Sequence, residues 1–205
     1  MQTIGQANRR RAYLLKTGQT TSYGSGSGVD DGGYEVGIAK RYTALTTGQY
    51  SGTTNIVVNG KTDTHSNACV EDVETGLMWS RTLSASVGPT STGQLPWTTT
   101  GAGATAEGIF AYTAAANAAA LAGHTDWRVP NDLELLSLRR QEAPNALPDS
   151  TAFPTWLSSN VWSSTTQSNV IANALQVSYL TGGAGGNAKT NNYYCALVRG
   201  PVNLL

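Results

Sequence analysis

Few residues of this chain have the types and spacing of a catalytic or metal site. The two histidines, His65 and His124, have no cysteine or carboxylate at a spacing typical of metal ligands. Asp72 and Glu74 lack the alternating oxygen ligands and terminal glutamate of a calcium loop, so we interpret them as turn residues. The hydroxyl run 163–166 has no nucleophile-elbow motif around it. The sequence therefore predicts no enzyme activity, no cofactor and no metal site.

Cys69 and Cys195 are the only thiols of the chain. A disulfide between them would close a loop of more than a hundred residues and contribute up to about 4.7 kcal/mol of stability in the chain-entropy model. Two buried free cysteines are the alternative. The sequence leaves both states open because it does not reveal the redox compartment.

Composition limits the class of protein. The chain has 205 residues and a mass of 21.4 kDa, which fits one domain. Its 13 basic and 13 acidic residues cancel, and this balance argues against a nucleic-acid partner. No apolar run approaches the ~20 residues that span a bilayer, so no membrane insertion is expected. The basic run 9–11 precedes only a short apolar stretch, so we expect no secretory signal in this chain.

Two helices are predicted in the middle of the chain, over 105–121 and 131–140. The alanine-rich first helix is expected to stop at Gly123. Asn131 and Glu134 have the spacing of a capping box at the start of the second helix. The residues of that helix expected to face inward are Leu133, Leu135 and Leu136.

Strands are predicted on both sides of the helices. Asn59-Gly60 is a strong type I′ hairpin signal after the apolar stretch 56–58. Further strands are predicted at 68–70, 76–79, 161–164, 172–180 and 193–199. Trp79, Trp127 and Trp162 are expected to be buried scaffold residues. Residues 1–66 have too few large apolar side chains for a separate core, so we expect them to pack on the same domain.

Five sequence blocks follow one another along the chain. They are KTGQTT (16–21), DVETGLMW (72–79), GHTDWRVPN (123–131, followed by Glu134-Leu135), VWSST (161–165) and VRG (198–200). Together they resemble the domain at the C-terminus of a Legionella collagen-like adhesin, which also occurs in many bacterial and viral proteins. The sequence departs from that family at Ala196-Leu197, where Trp-Pro is common, and in a longer 39–69 stretch.

The resemblance implies an α+β C-type lectin-like fold, with two helices against a mixed, mainly antiparallel sheet. It implies one domain over 1–205, in which 1–66 is an N-terminal extension. Many proteins of this kind are variable proteins of diversity-generating retroelements, in which mutagenesis at adenines rewrites a C-terminal cassette. The corresponding variable region here would be 165–199.

Codon chemistry offers a check on this second resemblance. Randomising the adenines of an asparagine codon cannot produce Lys, Gln, Glu, Met or Trp. Between 168 and 194 only Gln176 and Lys189 lie outside the accessible set, and all five tryptophans lie upstream. An ordinary Gly/Asn-rich β region has a similar composition. Gln176 is therefore interpreted as a position that is not mutable.

The function implied by the resemblance is hypervariable ligand binding on a virion or cell surface. A protein ligand on another cell or virus is expected, because the Glu-Pro-Asn and Trp-Asn-Asp motifs of calcium-dependent sugar binding are absent from the sequence. Side chains of the C-terminal strands and turns are the expected contacts. They are Ser168, Asn169, Asn173, Gln176, Ser178, Leu180, Thr181, Asn191 and Asn192.

Two other functions remain open. A fixed adhesin for sulfated polysaccharide would need a basic face, for which the sequence offers only 9–11, Lys40-Arg41 and Arg139-Arg140. An oxidase related to the formylglycine-generating enzymes would need a cysteine pair that binds copper. Cys69 and Cys195 are a poor match to that pair because they lie in separate predicted strands.

Overall fold

The computed structural model describes residues 19, 22, 40–89, 91–98, 107–141 and 145–200. Eleven strands and two α-helices lie in this described part of the chain. The strands are β1 (Tyr42–Leu45), β2 (Thr53–Val58), β3 (Lys61–Ser66), β4 (Cys69–Asp72), β5 (Leu77–Ser80), β6 (Gln94–Pro96), β7 (Asn160–Thr166), β8 (Asn173–Ser178), β9 (Ala184–Ala188), β10 (Asn192–Tyr194) and β11 (Val198–Arg199). The helices are α1 (Ile109–Ala118) and α2 (Asp132–Leu138).

The strands form three sheets, which are mainly antiparallel. One has the order β1-β4-β5-β11, the second has the order β6-β10-β7-β8-β9, and β2 and β3 form a separate hairpin. The pairing of β10 with β7 is parallel. The architecture is the α+β class expected from the sequence, and it is consistent with a C-type lectin-like fold.

Local turn chemistry forms two of the predicted hairpins. Asn59 and Gly60 have φ values of 48° and 75°, as the type I′ turn between β2 and β3 requires. Asp72 Oδ1 accepts hydrogen bonds from the backbone N–H groups of Glu74 and Thr75, which closes the turn between β4 and β5. Asp72 and Glu74 are turn residues in this structure, as predicted.

Two inner strands of the five-stranded sheet, β7 and β8, have buried side chains on both faces. Val161 and Val177 pack with Leu135 of α2 on one face. Trp162 and Ala174 belong to a second apolar cluster on the opposite face. The predicted strand 172–180 is confirmed over Asn173–Ser178. Its irregular burial arises because consecutive side chains alternate between two buried faces, with a register shift in β7.

The capping box of α2 is confirmed, but the end of the helix and one inward residue were predicted wrongly. The backbone N–H of Glu134 donates to Asn131 Oδ1, and Glu134 Oε2 accepts from the Asn131 N–H, both at 2.8 Å. Leu133 is 71% exposed, because α2 turns Leu135 and Leu138 toward the core. The helix ends at Leu138 since Arg139 is extended, and the Arg139 carbonyl accepts from Lys40 Nζ.

Helix α1 begins later and ends earlier than predicted. It spans Ile109–Ala118, followed by a 3-10 turn over Leu121–Gly123, and residues 105 and 106 lie outside the described part. Ala120 and Ala122 have φ values of 49° and 53°, and this left-handed backbone ends the α-helix before Leu121.

The three scaffold tryptophans are buried as predicted. Trp79 and Trp162 are fully buried, and Trp127 is 2% exposed. Trp127 Nε1 donates to the Leu121 carbonyl at 2.9 Å, and its backbone is paired in both directions with the Asn117 side chain. Trp127 therefore fixes the segment after α1 to the helix itself.

The N-terminal extension is only partly described. Strand β1 pairs with β4, and Ile56 and Val58 of β2 belong to the same apolar cluster as Tyr112 of α1. The expectation that 1–66 packs on the domain as an N-terminal extension stays a prediction, and of residues 1–39 the structure describes only Gln19 and Ser22. The sequence block 16–21 and the basic run 9–11 lie mostly or wholly outside the described residues.

Replacing Trp127 with alanine should destabilise the protein by about 3–5 kcal/mol, because it removes a buried aromatic side chain and leaves a cavity. The exposed Leu133→Ala variant is the control, and its cost should stay within about 0.5 kcal/mol. Urea unfolding measures both changes. Equal stability of the two variants would contradict the scaffold role of Trp127.

Candidate ligand-binding site

The nine predicted contact residues differ in exposure. Five are exposed, namely Ser168, Asn169, Leu180, Thr181 and Asn191. Asn173, Ser178 and Asn192 are half-buried, and Gln176 is buried. The exposed residues all lie in the connections between β7, β8, β9 and β10 rather than within those strands.

The five exposed residues form two separate patches. Ser168, Asn169 and Asn191 lie at one end of β8, where the Lys189 N–H donates to the Ala172 carbonyl and joins the two loops. We call these three residues the loop patch. Leu180 and Thr181 lie at the other end, in the turn between β8 and β9, and form the turn patch. The six residues of β8 separate the patches by about 17 Å.

The other four candidates lie within or beside the sheet. Asn173 Nδ2 donates to Gln167 Oε1 at 3.0 Å, so its side chain is already engaged. Asn192 pairs with Pro96, and Ser178 pairs with Asn160 at the end of β8. Gln176 is 8% exposed and pairs with the fully buried Trp162. Gln176 therefore does not belong to the exposed surface, which corrects its assignment as a contact residue.

A buried lysine, Lys189, lies in the connection that carries part of the loop patch. Lys189 is 7% exposed, and its Nζ lies 4.1 Å from the centroid of the Trp97 ring. The ammonium group also donates to Thr166 Oγ1 at 3.0 Å. Buried ammonium groups are costly unless paired, and the ring face and the hydroxyl supply that compensation. Sequence reasoning noted Lys189 as an exception in the cassette but missed this role.

Two exposed apolar side chains beside the loop patch were also missed. Val170 is exposed, and Ile171 is 78% exposed, in the loop between β7 and β8. The loop is folded by hydrogen bonds from the Val170 N–H to the Gln167 carbonyl and from the Asn173 N–H to the Val170 carbonyl. The sequence signal was an apolar pair in a connection that is otherwise polar.

A buried polar network surrounds His65. His65 Nε2 lies 2.6 Å from Ser80 Oγ, and its Nδ1 lies 3.3 Å from Asp63 Oδ2, while the Tyr112 hydroxyl donates to that carboxylate at 2.6 Å. Asp63 and His65 are two residues apart on β3, so their side chains lie on the same face of the strand. Sequence reasoning missed this Asp–His pair because the strand was not predicted at 61–66.

The order of contacts in this Ser–His–Asp group is that of a hydrolytic triad, but its three side chains are buried in the core, as structural residues are. Asp63 and His65 are 2% exposed and Ser80 is 1% exposed. The Ser80 hydroxyl donates to the Thr82 carbonyl, and its backbone N–H is bonded to the Leu197 carbonyl. The network therefore joins β3, β5 and α1 inside the protein.

His124 and the two cysteines contact protein groups that hold the fold together. Burial lowers the pKa of His124, whose Nε2 lies 3.2 Å from the Tyr50 hydroxyl. Cys69 and Cys195 are both buried free thiols, and burial raises the pKa of each to about 12. Within the described ranges, no three potential metal ligands come together.

Replacing Lys189 with alanine should destabilise the protein by about 1–3 kcal/mol, because the cation–π contact, the bond to Thr166 and the buried stem are lost. The exposed neighbour variant Thr190→Ala is the control and should change stability by less than about 0.5 kcal/mol. Thermal and urea unfolding measure both. A neutral Lys189→Ala variant would show that the lysine does not anchor the loops.

Neither thiol should react with a disulfide reagent at pH 8 while the protein is folded. With a pKa of about 12, roughly one thiol in ten thousand is ionised at that pH. Unfolding in denaturant should release two reactive thiols. Rapid reaction of the folded protein, or no thiol after unfolding, would contradict two buried free cysteines.

The family model for the Lcl C-terminal domain matches residues 68–199, which is well over half of the chain. The matched region runs from the start of β4 to β11 and contains both helices, the whole five-stranded sheet and β4, β5 and β11 of the four-stranded sheet, whereas β1 precedes it. No curated protein shows a significant match to the chain. The chain belongs to the Lcl C-terminal domain family, whose name refers to the Legionella collagen-like protein, and it has the adhesin-like or lectin-like domain of that family.

Proposed function

We propose that this protein is a hypervariable ligand-binding protein diversified by a retroelement, with 165–199 as its variable region. The observation that best supports this proposal is the position of Gln176 and Lys189. These two residues are the only ones between 168 and 194 that adenine mutagenesis of asparagine codons could not produce. They are also the buried polar residues of that segment, whereas the asparagines are exposed or half-buried. Fixed residues belong in the scaffold and variable residues at the surface.

The support beneath the patches favours a binding role. The loop patch lies above Lys189 and Trp97, and the turn patch follows Tyr179, whose hydroxyl donates to the Leu135 carbonyl at 2.8 Å. Both patches are thus attached to buried aromatic groups. Side chains at the patches can change without a change in the core, because they make few of the contacts that hold the sheet.

The ligand that we propose is a protein on another cell or virus surface, and the location is a virion or cell surface. Exposed Ile171 and Val170 beside polar side chains give the loop patch the mixed character typical of a protein interface. We further propose that the protein is not an enzyme, since the triad-like group at His65 is sealed in the core. Among the residues that the structure describes, no helix has the length and apolar character needed to cross a membrane.

A fixed adhesin for sulfated polysaccharide is the second candidate, and one contact favours it. Lys40 Nζ donates to the Arg139 carbonyl at 2.7 Å, so the two basic pairs of the sequence lie together. However, burial lowers the pKa of Lys40 to about 8, and Arg140 lies 4.0 Å from Asp149. This basic surface is therefore partly neutralised, and binding to immobilised heparin at physiological salt should be weak.

The decisive test of the retroelement proposal is the DNA around the gene. We expect a near-copy of the segment that encodes 165–199, differing only at adenines, beside a reverse transcriptase gene. A locus without a template copy would remove the proposal of diversification and leave a fixed adhesin.

Tyrosine at Ser168, Asn169, Thr181 and Asn191 together should leave the melting temperature within a few degrees, because exposed substitutions usually cost less than about 0.5 kcal/mol each. Binding to a panel of purified surface proteins, measured by biolayer interferometry, should change. The single Gln176→Tyr variant is the control, and it should unfold at a clearly lower temperature because that side chain is buried. Equal stability of Gln176→Tyr and wild type would contradict the division between fixed core and variable surface.

A further inference from the structure

Within the described part of the chain, strand β9 has an open edge. It is the last strand in the order β6-β10-β7-β8-β9 among the residues that the structure describes, and its ends, Ala184 and Ala188, are exposed. An open edge presents unpaired backbone N–H and C=O groups to any further strand.

The hydrogen-bond register identifies which groups point outward. The Ser178 N–H donates to the Gly183 carbonyl, and the Lys189 N–H donates to the Ala172 carbonyl. Bonded positions alternate along an antiparallel pair, so 183, 185, 187 and 189 face β8. Ala184, Gly186 and Ala188 therefore direct their N–H and C=O groups toward the free edge. The Ala188 carbonyl also accepts from the Asn191 N–H.

The described edge lacks charged residues, proline and a bulge, three features that block strand addition. From 181 to 188 it contains no charged residue and no proline, and five consecutive residues pair with β8 without a bulge. The outward positions are also symmetric about Gly186. Two copies related by a two-fold axis at Gly186 would place Ala184 opposite Ala188 of the second copy, with only small uncharged side chains at the contact.

We propose that two copies of this chain associate through antiparallel pairing of β9 about Gly186. The same pairing brings the turn before β9 of one copy, which contains Thr181, beside the turn after β9 of the other, which contains Asn191. The turn patch of each copy then lies beside the loop patch of its partner, although in one chain they lie at opposite ends of β8. Each binding site would then combine residues of both copies. This inference about the site rests on the proposed function, whereas the inference that the chain dimerises does not rest on it.

The small size of the contact determines its strength. A pair of five-residue strands is smaller than the ~800 Å² per partner of a standard interface. The dimer should therefore be weak and dependent on concentration. Backbone bonds carry it, so it tolerates sequence changes in a variable cassette better than a side-chain interface would.

Sedimentation equilibrium of the full chain up to about 1 mM tests the proposal without any ligand. Wild type should show a reversible monomer–dimer equilibrium. A184K/A188K places like charges opposite each other twice and should weaken the dimer about tenfold, whereas A184K/A188E places opposite charges there and should restore it. V57K/V73K adds the same charge at exposed sites away from β9 and should leave the dimer unchanged. A monomeric wild type, or equal association of A184K/A188K and A184K/A188E, would overturn the proposal.

Cysteine cross-linking tests the register independently of charge. Bonded antiparallel partners have Cα atoms about 5.5 Å apart, within disulfide reach. Oxidised A184C/A188C should give a covalent dimer at high yield, and A184C or A188C alone should not. Cross-linking by the single variants, or none by the double variant, would exclude this pairing. A different result separates the two proposals. If the wild type dimerises but the fourfold tyrosine variant at Ser168, Asn169, Thr181 and Asn191 binds the same ligands as wild type, only the proposed function is contradicted.

Discussion

The ion pair between Arg128 and Glu134 is the contact on which the middle of the structure depends. Both nitrogens of the Arg128 fork donate to the Glu134 carboxylate, at 2.7 and 2.6 Å. Burial works against the ionised carboxyl, yet the bonds from Arg128 and the Asn131 N–H lower the pKa of Glu134. The backbone of Arg128 pairs with Val198, so the pair also connects the start of α2 to the C-terminal strand. The family block 123–131 is thus attached to α2, to β11 and to α1, the last because Trp127 within the block is bonded to Asn117 of α1.

Burial of β7 and β8 on both faces of the five-stranded sheet determines where exposed side chains can lie. Val177 and Ala174 lie in different clusters, so most side chains within β8 have structural neighbours. Positions free of such constraints remain at the strand ends and along the β9 edge. The exposed candidate contact residues lie at those ends, and the buried Lys189 holds the loop that follows β9. A buried interior and exposed loop residues follow from the same sheet geometry.

The long β2–β3 hairpin is attached to this body by polar as well as apolar contacts. Ile56 and Val58 enter the main cluster, and Asp63 and His65 bond to Tyr112 and Ser80. Asp63 Oδ2 also accepts the Ala85 N–H, and the neighbouring Ser84 exchanges backbone and side-chain bonds with Cys195. Buried polar groups that are satisfied in this way hold a hairpin in one orientation more specifically than an apolar contact would.

Features that depend on neighbouring residues were predictable from the sequence: the capping box at Asn131, the Asn59-Gly60 turn, the Asp72 turn and the family membership. The sequence could not determine features that depend on contacts between distant segments. Leu133 was assigned inward because the periodicity of a short helix does not show which of its faces is buried. That face is determined by the sheet against which the helix packs. Gln176 was assigned to the surface for the same reason, since alternation along a strand does not reveal that both faces are covered. The division of the exposed candidate contact residues into two patches is visible only in the fold, because the length of strand β8 separates them.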